Sequence, residues 1–268
     1  MTGKRWHYLF NGIFLISVFG GEILISVKSL SKVFVGNNGT KEVLNDIDIE
    51  IEKGKIYGII GPSGAGKSTI LNIIAGLLKP DSGEIIVNDL NIGNLDENDL
   101  RKYQKDIGVV FQDYNLLNNL TVLKNVELPL RVNGVKKEIR EQEALKVLEF
   151  VNLKEEAYSY PSQLSGGMRQ RAAIARAIIN KPKILLLDET TSALDQETAN
   201  VIIKLLKKIN NDLGITILIV SHDLLTIKKL CNFVYVLKDG KIIDLLSLKD
   251  RNEISEYNYR QELGVLDA

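Results

Sequence analysis

The chain reads Gly61-Pro62-Ser63-Gly64-Ala65-Gly66-Lys67-Ser68 directly after Ile56-Tyr57-Gly58-Ile59-Ile60. The run before the loop is almost wholly apolar, as expected of a strand buried on both faces of a sheet flanked by helices. After the loop, Ser68 to Leu78 has helical apolar spacing, closed by a Lys79-Pro80-Asp81-Ser82-Gly83 turn. Strand, glycine-rich loop and helix in that order make a phosphate cradle. Glycines let backbone amides approach phosphates closely, some at positive φ. Gly61, Ser63, Gly64, Gly66, Lys67, Ser68 and Thr69 are therefore the candidate nucleotide contacts. Lys67 supplies a point charge to the β- and γ-phosphates of ATP, and Ser68 a hydroxyl for Mg²⁺. The helix adds its N-terminal dipole.

A second apolar run, Ile184-Leu185-Leu186-Leu187, ends in Asp188-Glu189. That places both carboxylates at the C-terminal edge of a buried strand, where ligand sites of α/β sheets form. An acidic pair after a strand is weak by itself, since helix capping explains it as well. With a phosphate loop upstream, Asp188 becomes the Mg²⁺ partner, and Glu189 the group that polarises a water for attack on the γ-phosphate. His222, in Ile219-Val220-Ser221-His222-Asp223, follows the next buried strand and so falls on the same sheet edge, as a γ-phosphate sensor. Gln112, in Val109-Val110-Phe111-Gln112-Asp113, ends another apolar strand, and its amide is placed to contact Mg²⁺ or the attacking water. Asn115-Leu116-Leu117 is an exposed apolar stretch suited to docking a membrane subunit.

Around these motifs the pattern is that of one α/β unit. Ile23 to Val27 and Val43 to Ile51 read as strands joined through a Gly36-Asn37-Asn38-Gly39 turn. A charged section from about Thr121 to Pro161 reads as mostly helical, with Lys136 to Phe150 an amphipathic helix. Ile215 to Val220 is a further buried strand, Thr198 to Leu213 and Leu224 to Leu230 are helices, and Phe233 to Leu237 pairs with Lys241 to Leu245 through Lys238-Asp239-Gly240. With 45% hydrophobic and 25% charged residues the chain has a globular composition. Its 34 basic and 34 acidic residues cancel, so no global field draws it onto nucleic acid. The single cysteine, Cys231, excludes an internal disulfide or a cysteine metal cluster and reads as a small buried hydrophobe.

The order of phosphate loop, Gln112, Leu164-Ser165-Gly166-Gly167, Asp188-Glu189, Ser192-Ala193-Leu194-Asp195 and His222 resembles the ATPase subunits of ABC transporters, over residues 23 to about 245. The resemblance implies a mixed core sheet flanked by helices, an N-terminal antiparallel β-subdomain and a helical subdomain at about 113–180. It implies a head-to-tail pair of ATPase subunits, homodimeric or heterodimeric, with two ATPs sandwiched between them. Ser165, Gly166 and Gly167 of one subunit would then face the γ-phosphate held by the other, and Asp195 would cross the interface. Phe34 matches the family aromatic that stacks on adenine. The partners implied are an integral-membrane permease and, for an importer, a solute-binding protein, with the ATPase on the cytoplasmic face of the plasma membrane. Gly54-Lys55-Ile56-Tyr57-Gly58 and Tyr160-Pro161-Ser162-Gln163-Leu164 are similar to methionine-importer ATPases. Asn118 to Leu130 is as similar to lipoprotein-release and antimicrobial-peptide efflux ATPases. Met168, Thr190 and Gln196 depart from the family pattern without removing a catalytic group.

Lys4 and Arg5 precede an apolar stretch from Tyr8 to Gly21 that is shorter than the ~20 residues needed to span a bilayer. It reads as an extension outside the fold, with the cassette starting near Ile23; a membrane-surface anchor and a signal-peptide core are the alternatives. Residues 247–268 read as a short polar tail, too short for the ligand-sensing domain that many methionine-importer ATPases carry. Two rival functions remain. A soluble ABC-type ATPase acting on ribosomes, DNA or iron–sulfur assembly is disfavoured by the single cassette and the absence of long insertions. A binding module that no longer hydrolyses is disfavoured by the presence of Glu189 and His222.

Overall fold

The computed structural model describes residues 21–36, 39–190 and 194–248. Most of the apolar extension, Asn37 and Asn38 of the first turn, Ser192 and Ala193, and the tail from residue 249 lie outside the described residues. In chain order the elements are β1 (Ile23–Gly36), β2 (Gly39–Glu52), β3 (Ile56–Ile60), α1 (Lys67–Ile74), β4 (Ser82–Val87), β5 (Leu90–Asn91), α2 (Glu97–Lys105), β6 (Ile107–Val110), α3 (Val122–Val132), α4 (Lys137–Phe150), α5 (Gly166–Ile178), β7 (Ile184–Asp188), α6 (Gln196–Leu213), β8 (Thr216–Val220), α7 (Leu224–Leu230), β9 (Phe233–Lys238) and β10 (Lys241–Ser247).

They form two sheets. An antiparallel sheet has the order β2-β1-β4-β5, and a mixed sheet the order β10-β9-β3-β8-β7-β6. Within the mixed sheet β6, β7, β8, β3 and β9 run parallel, and β10 returns antiparallel on β9. Strand residues alternate between two cores, as a period of two requires of a sheet covered on both faces. Leu185, Leu187, Ile217 and Ile219 face one core with the helices α3 to α7. Ile184, Leu186, Leu218 and Val220 face the other with α1 and the antiparallel sheet. This is the mixed sheet, β-subdomain and helical section that the sequence implies.

Several boundaries differ for local reasons. Strand β1 runs far beyond Val27 because a bulge there breaks the alternation: Ser29 has a φ of 48°, and its N–H donates to Asp48 Oδ1 at 2.8 Å. Helix α1 stops at Ile74 rather than Leu78, because Gly76 is left-handed (φ 68°) and the amides of Leu77 and Leu78 turn back to the Asn72 carbonyl. Strand β4 begins at Ser82, inside the expected turn. The hairpin between β9 and β10 has Asp239 and Gly240 at φ 48° and 72°, as a tight primed turn demands. At the N-terminal side, the Glu22 carbonyl accepts from Lys53 N–H at 2.9 Å, so residue 22 is already tied to the end of β2.

Candidate functional site

The parallel register brings four chain segments to one sheet edge. Val110 pairs with Leu187, Asp188 with Val220, and Val220 with Ile59. Hence the phosphate loop after β3, Gln112 two residues past β6, Asp188-Glu189 ending β7 and His222 past β8 all leave the same carboxyl edge.

In the loop, Gly61 lies so near β9 that a Cβ would sit 2.2 Å from the Leu237 carbonyl oxygen. Gly64 and Gly66 have φ of 76° and 104°, and Gly66 is the N-cap of α1. No side chain caps that helix and its first turn holds no acid, so its orphan amides face the loop. Ser63 is exposed and Thr69 half-buried in the first turn. Lys67 is buried, and its Nζ donates to the carbonyls of Gly61 at 2.9 Å and Pro62 at 3.0 Å. Burial lowers the ammonium pKa, while the Glu189 and Asp188 carboxylates pull it back up.

Ser68 Oγ donates to Asp188 Oδ1 at 2.8 Å. Burial raises the Asp188 pKa; the Ser68 hydrogen bond opposes this, Glu189 adds to it and Lys67 opposes it again. Glu189 is left-handed (φ 47°), and its N–H donates to the Val220 carbonyl at 3.0 Å. Its Oε1 lies 3.4 Å from His222 Nδ1, so the two residues picked out on adjacent strands do meet. Gln112 is exposed at the end of this row.

The signature residues form a second cluster. Ser165 caps α5, its Oγ accepting from Met168 N–H at 3.3 Å. Gly167 is buried, and a Cβ there would lie 2.3 Å from Thr198 Cγ2. Thr198 in turn gives its N–H to Asp195 Oδ1 and its hydroxyl to Asp195 Oδ2, at 2.9 and 2.7 Å, which caps α6. Gly166 faces Leu194 and the Tyr114 hydroxyl. Among the described residues, the hydrogen bonds of Ser165 and Asp195 stay within the first turns of their own helices. Phe34 is exposed near the end of β1 and is not a core residue; the Lys32 ammonium sits 5.6 Å from its ring centroid. Cys231 is buried, and desolvation raises its thiol pKa.

Sequence reasoning missed Arg176 and Asn125. Arg176 donates to the Tyr114 and Asn115 carbonyls, and the fully buried Asn125 amide holds Leu117 by both its N–H and its carbonyl. The signal for Arg176 was a lone charge inside Ala172-Ala173-Ile174-Ala175-Arg176-Ala177-Ile178, since a charge on a buried face needs partners.

The family model described as ABC transporter matches residues 44–192. Methionine import ATP-binding proteins of Enterococcus faecalis, Latilactobacillus sakei and Bacillus anthracis are 43%, 45% and 44% identical over 89%, 82% and 85% of this chain. The chain spans 71%, 64% and 66% of those relatives' own lengths. Among solved structures, a dimeric ATP-binding cassette in a post-hydrolysis state bound to ADP and Pi superposes with a TM-score of 0.78 at 39% identity, covering 84% of this chain and 99% of that one. A Clostridium perfringens component of an ABC transporter complex gives 0.79 at 28% identity, covering 91% and 95%.

Proposed function

We propose that this chain, which belongs to the ABC transporter family, binds and hydrolyses ATP to drive a solute through a separate membrane subunit. The observation that carries the reading is the row of groups on one sheet edge: an uncapped helix start, the Lys67 ammonium, the Ser68–Asp188 hydrogen bond and the Glu189–His222 contact. Residues 23–246 serve as one cassette, with the helical section at about 113–180 carrying the signature.

The loop amides and Lys67 bind and orient the triphosphate, so the chemistry is largely positioning and charge stabilisation. The oxygen donors fit a hard divalent cation, because a hydroxyl and a carboxylate already approach to 2.8 Å. Ser68 and Asp188 would hold Mg²⁺, with Gln112 contributing its amide oxygen. Held by these residues, a divalent ion would supply charge neutralisation to the triphosphate. Glu189 takes the proton of the attacking water. His222 orients that carboxylate and presents its other ring nitrogen toward the γ-phosphate. Ser165, Gly166, Gly167 and Asp195, clustered where α5 and α6 begin, serve the site of a second ATPase subunit in a head-to-tail dimer, and Phe34 stacks on adenine.

Asn115-Leu116-Leu117 docks the permease, and a solute-binding protein completes an importer. The ATPase subunit sits peripherally on the cytoplasmic face, a reading supported by its resemblance to import ATP-binding subunits; no helix among the described residues is long and apolar enough to cross a membrane. The methionine-import relatives favour methionine or a similar amino acid as the cargo.

The test is Glu189→Gln. It deletes the base and keeps the Mg²⁺ ligands, so ATP binding persists while turnover falls about 10²–10⁴-fold. Steady-state hydrolysis within about threefold of the parent would sink the assignment.

A further inference from the structure

Arg176 is a half-buried cation, and its guanidinium makes no ion pair with a carboxylate among the described residues. Its guanidinium donates Nη1 to the Asn115 carbonyl at 2.6 Å and Nη2 to the Tyr114 carbonyl at 2.8 Å. Both carbonyls belong to successive left-handed residues, Tyr114 at φ 61° and Asn115 at φ 49°. Two L residues in that region persist only where the surroundings hold them, and the forked guanidinium matches such a carbonyl pair as an ammonium cannot. The same helix offers Arg169, whose guanidinium lies 5.7 Å from the Tyr114 ring centroid. From the other side, the Asn125 amide fixes Leu117, Leu120 and Thr121.

The segment from Tyr114 to Thr121 is thus fastened to α5 and α3. Upstream, Phe111-Gln112-Asp113 continues from β6, which is locked into the sheet on β7. Gln112 sits at the junction between a sheet-held end and an Arg176-held end. Arg176 itself lies about three helical turns from Ser165 along α5.

We propose that Arg176 is a positioning residue for Gln112: its grip on the Tyr114 and Asn115 carbonyls ties the loop carrying Gln112 to the helix that begins at Ser165, and so sets where the Gln112 amide stands on the catalytic edge. The proposal rests on the reading of Gln112 as a Mg²⁺ or water contact.

The experiment measures steady-state hydrolysis and nucleotide affinity for Gln112→Ala, Arg176→Lys and the double variant. Arg176→Lys keeps charge and loses the fork. It is expected to lower kcat about tenfold with KM for ATP held within about twofold. The double variant is expected to be no slower than Gln112→Ala alone, because the second change acts through the first. Multiplicative losses overturn the proposal and leave Gln112 standing. Gln112→Ala at parental kcat overturns the Gln112 assignment, and the proposal with it. A glycine inserted between Gln112 and Asp113 guards against a misfolded Arg176 variant. It slackens the tether without touching Arg176 and should reproduce the kcat loss; unchanged kcat there also overturns the proposal.

Discussion

Ser68 Oγ donates to Asp188 Oδ1 across 2.8 Å, and the two residues lie 120 positions apart. The β3 that leads to Ser68 and the β7 that ends in Asp188 are not neighbours: β8 stands between them in the sheet. The contact therefore reaches across the end of β8, and it leaves a carboxylate in a poorly solvated place. Such a placement suits cation binding and works against the stability of the bare chain.

Asp188→Asn tests that trade-off. Burial raises the folded-state pKa of Asp188, so the proton is held more tightly in the folded chain than in the unfolded one. The stability this gives is present at low pH and is lost as pH rises from the unfolded carboxylate value, about 4, through the raised folded value. At pH 7 the neutral amide avoids that loss and still accepts from Ser68. The nucleotide-free variant should melt at or above the parental midpoint near neutral pH, with the gap closing in acid, while Mg²⁺-dependent turnover disappears. A lower midpoint at neutral pH, followed by scanning fluorimetry across pH, would refute the desolvation argument.

Phe34 offers a cleaner separation of binding from folding, because the residue is 42% exposed and belongs to neither core. Phe34→Ala should leave the melting midpoint unchanged. Stacking on a base is worth about 1–3 kcal/mol, so ATP affinity should fall roughly 5- to 150-fold. Phe34→Tyr should retain most of it. Equal affinities for the parent and the alanine variant, by calorimetry, would remove Phe34 from the adenine site.

What could be read from the chain follows from how local each signal is. Strands buried on both faces announce themselves as apolar runs, which is why Ile56–Ile60, Ile184–Asp188 and the edge they define were legible. Helix α2 was not, since Tyr103 is its one buried residue and it carries charge at both ends. Strand β1 was half legible, because the bulge at Ser29 shifts the alternation. The chemical groups on loops could be named from type and spacing. Their supports could not: Arg176 finds Tyr114 and Asn115 across 62 and 61 positions, a pairing that only the packing of α5 against the loop creates.

Gly167 is a packing residue as well as a signature residue. The Cβ of Gly167→Ala would lie 2.3 Å from Thr198 Cγ2, so the first turns of α5 and α6 must separate. Overpacking of this kind costs about 1–3 kcal/mol. Thr198→Ser removes the clashing methyl and keeps the hydroxyl that binds Asp195. Added to Gly167→Ala, it should restore most of the denaturant midpoint. If the double variant is no more stable than Gly167→Ala alone, the contact with Thr198 is not what excludes a side chain there.

The sharpest expectation concerns sites shared between subunits. Ser165 makes its hydrogen bond within its own helix, to Met168 N–H, and Lys67 makes its own to the loop carbonyls; each half-site is built separately. If the signature serves the partner's ATP, blocking it must spare nucleotide binding by the monomer. Ser165→Arg should therefore bind ATP with parental affinity, yet fail to form the ATP-dependent dimer that Glu189→Gln accumulates on gel filtration. Lys67→Ala should fail at the earlier step, losing nucleotide affinity itself. A mixed dimer of the two variants retains one intact loop facing one intact signature, and should recover part of the activity that either lacks alone. Weakened ATP binding by monomeric Ser165→Arg would mean that the signature acts on its own subunit's nucleotide, and the head-to-tail arrangement would be wrong.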